Sequence, residues 1–187
     1  MTVNNNTPDI RFSGFSEYWI RGEVRDVLKI KSGMSQRDIE VTGGIYPILA
    51  TGGEIGRTNT PLYDKESVLI GRKGTIDKPY YMNSPFWTVD TLFYSELSED
   101  ASGLFIFTLF QKIQWRKLDT STGVPSLTSS TIHSIPINIP KKPEQITIGK
   151  YFQHVDKTIT MYKSKHEKTK ILKKSFLKKI FPQEGKS

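Results

Sequence analysis

Four short stretches carry side chains suited to gripping or reading a polyanion. Lys31, Ser32, Gln36 and Arg37 follow an apolar run, in what reads as a flexible loop. Arg57, Thr58 and Asn59 follow the glycine-rich turn Gly52–Gly53–Glu54–Ile55–Gly56. Arg72 and Lys73 lie between Gly71 and Gly74, and Thr122, Ser126, Thr128 and Ser129 flank Gly123 and Pro125. Arg can bind guanine with two parallel hydrogen bonds and Asn can do the same for adenine. Lys, Ser and Thr at turns suit phosphate oxygens. The competing reading of each stretch is an ordinary solvated loop, and for Arg72 and Lys73 a turn that the glycines merely shape.

Groups for bond-breaking chemistry are missing. There is no GxxxxGK[ST] loop for nucleotide phosphates, and Gly71–Arg72–Lys73–Gly74–Thr75 lacks its spacing. The glycines at 52–56 do not make a GxGxxG turn. No GxSxG elbow presents a serine nucleophile. A magnesium nuclease needs paired acids followed by a lysine, and the one acid-x-Lys is Glu184–Gly185–Lys186 in the tail. Without cysteine, thiol catalysis and Cys-based zinc sites are excluded. His133, His154 and His166 are scattered. The expectation is a protein that is not an enzyme, with no catalytic residues, no metal and no cofactor of its own.

The chain that must position these side chains has 187 residues, room for one ordinary domain and an appendage. Its net charge is +8, unevenly spread. Residues 1–140 hold 14 basic and 15 acidic side chains, whereas residues 141–187 hold 13 Lys against four acids. A near-neutral body thus precedes a strongly basic tail, which suggests an anionic partner such as nucleic acid, or else a solvated Lys-rich helix face. No apolar run is long enough for a membrane span, and the polar start Met1–Pro8 resembles no targeting signal, so the expected location is cytoplasmic.

Strand candidates in the body are Val27–Lys31, Tyr46–Ala50, Ser67–Ile70, Trp87–Tyr94 and, as an edge, Ile135–Ile139. Leu104–Ile113 predicts a buried helix capped by Ser102. Pro140–Lys141–Lys142–Pro143 reads as a stiff hinge ending the body. Beyond it, Ile148, Phe152, Val155, Ile159, Tyr162, His166 and Thr169 recur at alternating steps of four and three, a heptad seam continued more loosely by Leu172, Phe176 and Ile180. Residues 143–181 are therefore expected to form one helix of roughly 57 Å. Its seam asks for a second long helix, the alternative being a single helix folded back on its own domain, and His166 and Thr169 would weaken the contact locally and fix the register. The fold class is α+β: a mixed α/β domain over 1–140 with short strands and glycine turns, a long coiled-coil helix over 143–181, and a tail over 182–187.

Several segments together resemble the specificity (S) subunit of type I restriction-modification systems. They are Pro8–Asp9–Ile10–Arg11–Phe12–Ser13–Gly14–Phe15 with Trp19; Tyr46–Pro47–Ile48 leading to the glycines at 52–56; and Leu69–Ile70–Gly71–Arg72–Lys73–Gly74–Thr75 with Pro85–Phe86–Trp87 and Asp90–Thr91. The last is the C-terminal helix, with Glu144–Gln145, Ile148–Gly149, Val155–Asp156–Lys157–Thr158–Ile159 and Leu177–Lys178–Lys179–Ile180–Phe181. The resemblance implies a non-catalytic subunit with target-recognition domains, each followed by a long helix. Each domain reads one half of a bipartite DNA site. The helices pack antiparallel and dock methyltransferase (M) subunits, which bring S-adenosylmethionine, and through them the restriction motor subunit.

This chain has one such domain and one helix, half of that pattern. A second copy would complete it as an antiparallel homodimer through Ile148, Phe152, Val155, Ile159, Tyr162, His166, Thr169, Phe176 and Ile180. Two-fold symmetry would then make the double-stranded DNA target palindromic around an unread spacer of under about two duplex turns. A stand-alone dimeric DNA-binding regulator and a coiled-coil interaction protein without a DNA role are the rival readings.

Overall fold

The structure, a computed structural model, describes residues 7–119 and 121–181. Nine short strands and three α-helices follow in order: β1 (Ile20–Glu23), β2 (Leu28–Ser32), β3 (Tyr46–Ala50), β4 (Gly53–Thr58), β5 (Ser67–Gly71), β6 (Tyr80–Met82), β7 (Trp87–Thr88), β8 (Leu92–Leu97), α1 (Gly103–Lys112), α2 (Ser129–His133), β9 (Pro136–Ile139) and α3 (Lys142–Ile180). Three small sheets result. The largest runs β2-β8-β5-β6 and is antiparallel throughout, the second runs β4-β3-β7 with β3 and β7 parallel, and β1 pairs with β9 alone.

β5 is buried along its whole length because it lies inside the four-stranded sheet. At its start two buried serines extend the ladder. The Ser67 hydroxyl donates to the Ser95 carbonyl at 2.8 Å, and the Ser95 hydroxyl accepts the Val68 N–H at 2.8 Å. Polar side chains are tolerated there because each bond is made within the sheet. The main core joins Val68, Ile70 and Phe93 to Phe105, Ile106 and Phe110 of α1, and to Trp115, Leu127, Ile132 and Ile137. A smaller cluster of Ile48, Trp87 and Val89 serves the three-stranded sheet.

Several sequence expectations change. The run Trp87–Tyr94 is two strands in two sheets. The Val89 N–H donates to the Leu49 carbonyl, and the Leu92 N–H turns back to the Val89 carbonyl, so the chain leaves β3 before joining β5. The turn expected at 52–56 is shorter: Gly53, at φ 118°, already begins β4, which continues to Thr58. Lys31 and Ser32 are the last residues of β2, not a loop. Ser102 stands at the N-cap of α1 but makes no side-chain cap.

The expected hinge at 140–143 is the start of a docked helix. Glu144, Gln145 and Gly149 of α3 are buried. Glu144 accepts two bonds from Arg11, each 2.7 Å. The Gln145 side chain accepts from the Ser102 N–H and donates to the carbonyls of Asp100 and Pro140. A Cβ on Gly149 would stand 2.7 Å from Leu104 Cβ and from the Phe105 nitrogen, so only glycine allows this approach. The first compact unit accordingly runs on to Lys150, past the limit expected at 140, and the second begins at Tyr151.

Candidate nucleic-acid interface

The turn between β5 and the next stretch of chain is dictated by its glycines. A Cβ on Gly71 would lie 2.0 Å from the Thr75 carbonyl oxygen, and Gly74 takes φ 86°. Between them, Arg72 and Lys73 both donate backbone N–H groups to the Thr91 carbonyl, at 2.8 and 3.2 Å. The other side of the turn is tied to the 125–127 loop. Gly74 N–H donates to the Pro125 carbonyl at 2.8 Å, and Leu127 N–H to the Arg72 carbonyl at 2.9 Å. The glycines thus shape the turn and also present its two cations.

Asp119 organises the 121–126 loop. Its Oδ1 accepts the N–H groups of Ser126 and Ser121, each at 3.0 Å, and those bonds hold its carboxyl below the usual range. Thr128 then caps α2 by accepting the Thr131 N–H at 3.1 Å. At the far end of α2, His133 Nε2 accepts the Ile30 N–H of β2 at 2.9 Å. Burial, and then the charge of Arg25, push the pKa of this imidazole down.

The result is a groove of about 300 Å³ lined by Ser32, Arg72, Lys73, Phe93, Ser126, Leu127, Thr128 and Ser129. Three of the four stretches singled out in the sequence meet here. The Arg72 guanidinium lies over the Phe93 ring at 5.9 Å and donates one bond, at 3.3 Å, to the Asp90 carbonyl. Among the described residues neither Arg72 nor Lys73 has a carboxylate partner within salt-bridge distance. Lys31, nearby in sequence, pairs with Glu96 at 3.5 Å. The groove is open and combines two cations without carboxylate partners with four hydroxyl side chains, a set chemically suited to phosphate oxygens.

The other candidates lie elsewhere. Thr58 is 1 % exposed and its hydroxyl bonds to Thr60, so it cannot meet a ligand. Arg57 pairs with Glu54 at 2.9 Å and donates to the carbonyls of Gly44 and Ile45. Asn59 accepts the Ile45 N–H. This trio therefore holds the edge of its own sheet. Gln36 opens a turn in which its carbonyl accepts from Ile39 and Glu40, and Arg37 is exposed beside it. Thr122 is exposed on the Asp119-ordered loop but does not line the groove.

The sequence reading did not single out Phe93, Asp119 or His133. Only Asp119 left a local signal, an Asp two residues before a Ser in a turn-rich stretch.

On α3, Ile148 packs against the main core and is not available to a second helix. Phe152, Ile159, Tyr162, Phe176 and Ile180 are exposed, from 41 % at Phe152 to 64 % at Ile180; His166 and Thr169 are exposed and Val155 is half-buried. No helix among the described residues is long and apolar enough to cross a membrane, and no cluster of His, Cys, Asp or Glu among them could hold a metal ion.

The groove lies on a mixed α+β body whose last helix runs for 39 residues. The chain belongs to the type I restriction modification DNA specificity domain family, whose profile matches residues 17–172. No curated protein matches it. Among solved structures, the S subunit of a type I restriction-modification system from M. genitalium shares the fold at 16% identity and TM-score 0.69, over 94% of this chain and 48% of that one. A chain from a study of complex assembly and conformational transition in the type I restriction-modification system matches at 16% identity and TM-score 0.69, over 88% and 45%. The HsdS subunit from Thermoanaerobacter tengcongensis matches at 14% identity and TM-score 0.59, over 95% and 47%. The chain spans about half the length of each of these structures.

Proposed function

We propose that this chain is a DNA sequence-specificity subunit of a type I restriction-modification enzyme. It reads one half of a bipartite double-stranded target with its α+β domain. It pairs with a second copy through α3 as an antiparallel homodimer and docks M subunits, which bring the methyl-transfer chemistry and, beyond it, the restriction motor subunit. The chain itself catalyses nothing and works in the cytoplasm.

The observation that carries this reading is the groove in which Ser32, Arg72, Lys73 and Ser126 converge from distant parts of the sequence. Its supports are the family match over residues 17–172 and the exposed apolar seam beyond Tyr151. The near-neutral body limits phosphate neutralisation, so the protein alone binds duplex DNA weakly and M subunits complete the clamp.

Two measurements test it. Duplex binding by the full chain, followed across a salt series, should weaken steeply as salt rises, and Lys73→Ala should lower the slope by about one counterion for all sequences alike. Binding that ignores salt would rule out a DNA role. Light scattering should give a mass of about twice 21.4 kDa that rises when a cognate M subunit is added. A monomer indifferent to M would remove the specificity-subunit assignment.

A further inference from the structure

The seven arginines of the chain differ in what holds them. Arg11, Arg25, Arg57 and Arg116 each face a carboxylate at 2.6 to 2.9 Å. Arg21 and Arg37 are exposed. Arg72 is half-buried, with its guanidinium over an aromatic ring, and without a carboxylate among the described residues.

We propose that Arg72 is the specificity-determining residue of the groove and reads a guanine of the half-site. The inference rests on the DNA-binding reading above. The guanidinium carbon lies over the Phe93 ring, 5.9 Å from its centroid, within cation–π reach. The Asp90 carbonyl engages Nη1 at 3.3 Å and leaves the Nε and Nη2 donors for a ligand. The backbone beneath is locked on both sides: the Arg72 N–H donates to Thr91, and its carbonyl accepts from Leu127. A planar donor pair held in one orientation suits the O6 and N7 acceptors of guanine, which lie side by side on the major-groove edge. The ring and the Asp90 carbonyl both restrict the side chain, so less rotamer entropy is lost on binding than for a free arginine. Lys73 has the opposite character. It is exposed, unpaired and flexible, a point charge suited to a phosphate, with the hydroxyls of Ser126 and Thr128 close by.

The experiment selects a pool of duplexes, randomised over a central segment, with the full chain at low salt. It then repeats the selection with R72Q and R72K. The wild type should enrich a motif containing a guanine that R72Q no longer prefers and R72K prefers less strongly, with preferences at the other positions kept. Replacing that guanine by 7-deazaguanine, which removes the N7 acceptor, should weaken wild-type binding by about tenfold or more and leave R72Q binding unchanged. The urea midpoints of R72Q and R72K, measured alongside, should match that of the wild type, which separates lost reading from lost folding.

Variants that weaken every sequence alike, with each base preference intact, would make Arg72 a phosphate contact and overturn the inference alone. A wild-type protein that binds duplex but enriches no motif would overturn the specificity reading and the role of Arg72 with it.

Discussion

His133 joins α2 to β2 through a single nitrogen, and that makes the bond sensitive to pH. Nε2 can accept the Ile30 N–H only while the ring is neutral. Burial and the neighbouring Arg25 charge keep the folded pKa below the ordinary 6.5. Between the two values the unfolded chain binds more protons, so stability rises with pH across that window. The contribution is intact above pH 6.5 and is lost as pH falls through 6.5 to the folded value. The urea midpoint of the wild type should therefore drop between about pH 7.5 and about pH 5.5. His133→Gln keeps an acceptor that does not titrate, so its profile should be flatter. Equal slopes for the two proteins would show that other groups set the pH dependence.

Residue types were legible at this scale, and neighbourhoods were not. Arg57 and Arg72 look alike in sequence, each basic and each beside a glycine-rich stretch. The structure separates them by what stands opposite. Glu54 and two carbonyls occupy Arg57, whereas a phenylalanine ring supports Arg72. Thr58 had the right chemistry for a contact, but its position at the end of β4 buries it.

At the scale of elements, the start of α3 is held by a glutamine. Gln145 is 2 % exposed and satisfies one N–H and two carbonyls of the segments around it. Truncation would leave those buried groups without partners, each a desolvation penalty rather than merely a missing bond. Gln145→Ala should cost about 2 kcal/mol of unfolding free energy. Urea denaturation should show a lower midpoint with an unchanged m value, as expected when stability alone is altered. A loss below about 0.5 kcal/mol would mean that water replaces the amide and that the docking is looser than the hydrogen bonds indicate.

This docking explains why the body's limit was misplaced in the sequence reading. Two prolines around two lysines look like a linker, but Pro143 falls within the first turn of α3, where a proline needs no hydrogen-bond donor. The strands show a similar division. Tyr46–Ala50 was legible because apolar residues are bounded by glycines. β1 and β4 were not, since Ile-Arg-Gly-Glu and Gly-Glu-Ile-Gly-Arg-Thr have weak strand propensity. They are strands because β9 and β3 offer them partners. The groove was illegible as a whole for the same kind of reason. Ser32, Arg72 and Ser126 are brought together by long-range bonds that no local pattern encodes.

At the scale of the whole molecule, the polarity of the proposed dimer follows from where α3 carries its charge. Its seam has two apolar blocks, Phe152 to Tyr162 and Leu172 to Ile180, separated by His166 and Thr169. Residues 151–165 carry three Lys and one Asp, whereas residues 166–181 carry six Lys and one Glu. A parallel pair would set the two most basic segments side by side. An antiparallel pair sets each against the less basic segment of its partner, in one register with Phe152 opposite Phe176. In that register two copies of Phe176 stand roughly 36 Å apart at 1.5 Å per residue.

The natural chain has no cysteine, so introduced thiols report without background. Phe176→Cys alone should stay unlinked under mild oxidation, while a mixture of Phe152→Cys and Phe176→Cys chains should give one covalent heterodimer. Ready self-linking of Phe176→Cys would establish a parallel pair. The two recognition domains would then lie at the same end of the helices; the target would still be two-fold symmetric, but the length of α3 would no longer set its spacer.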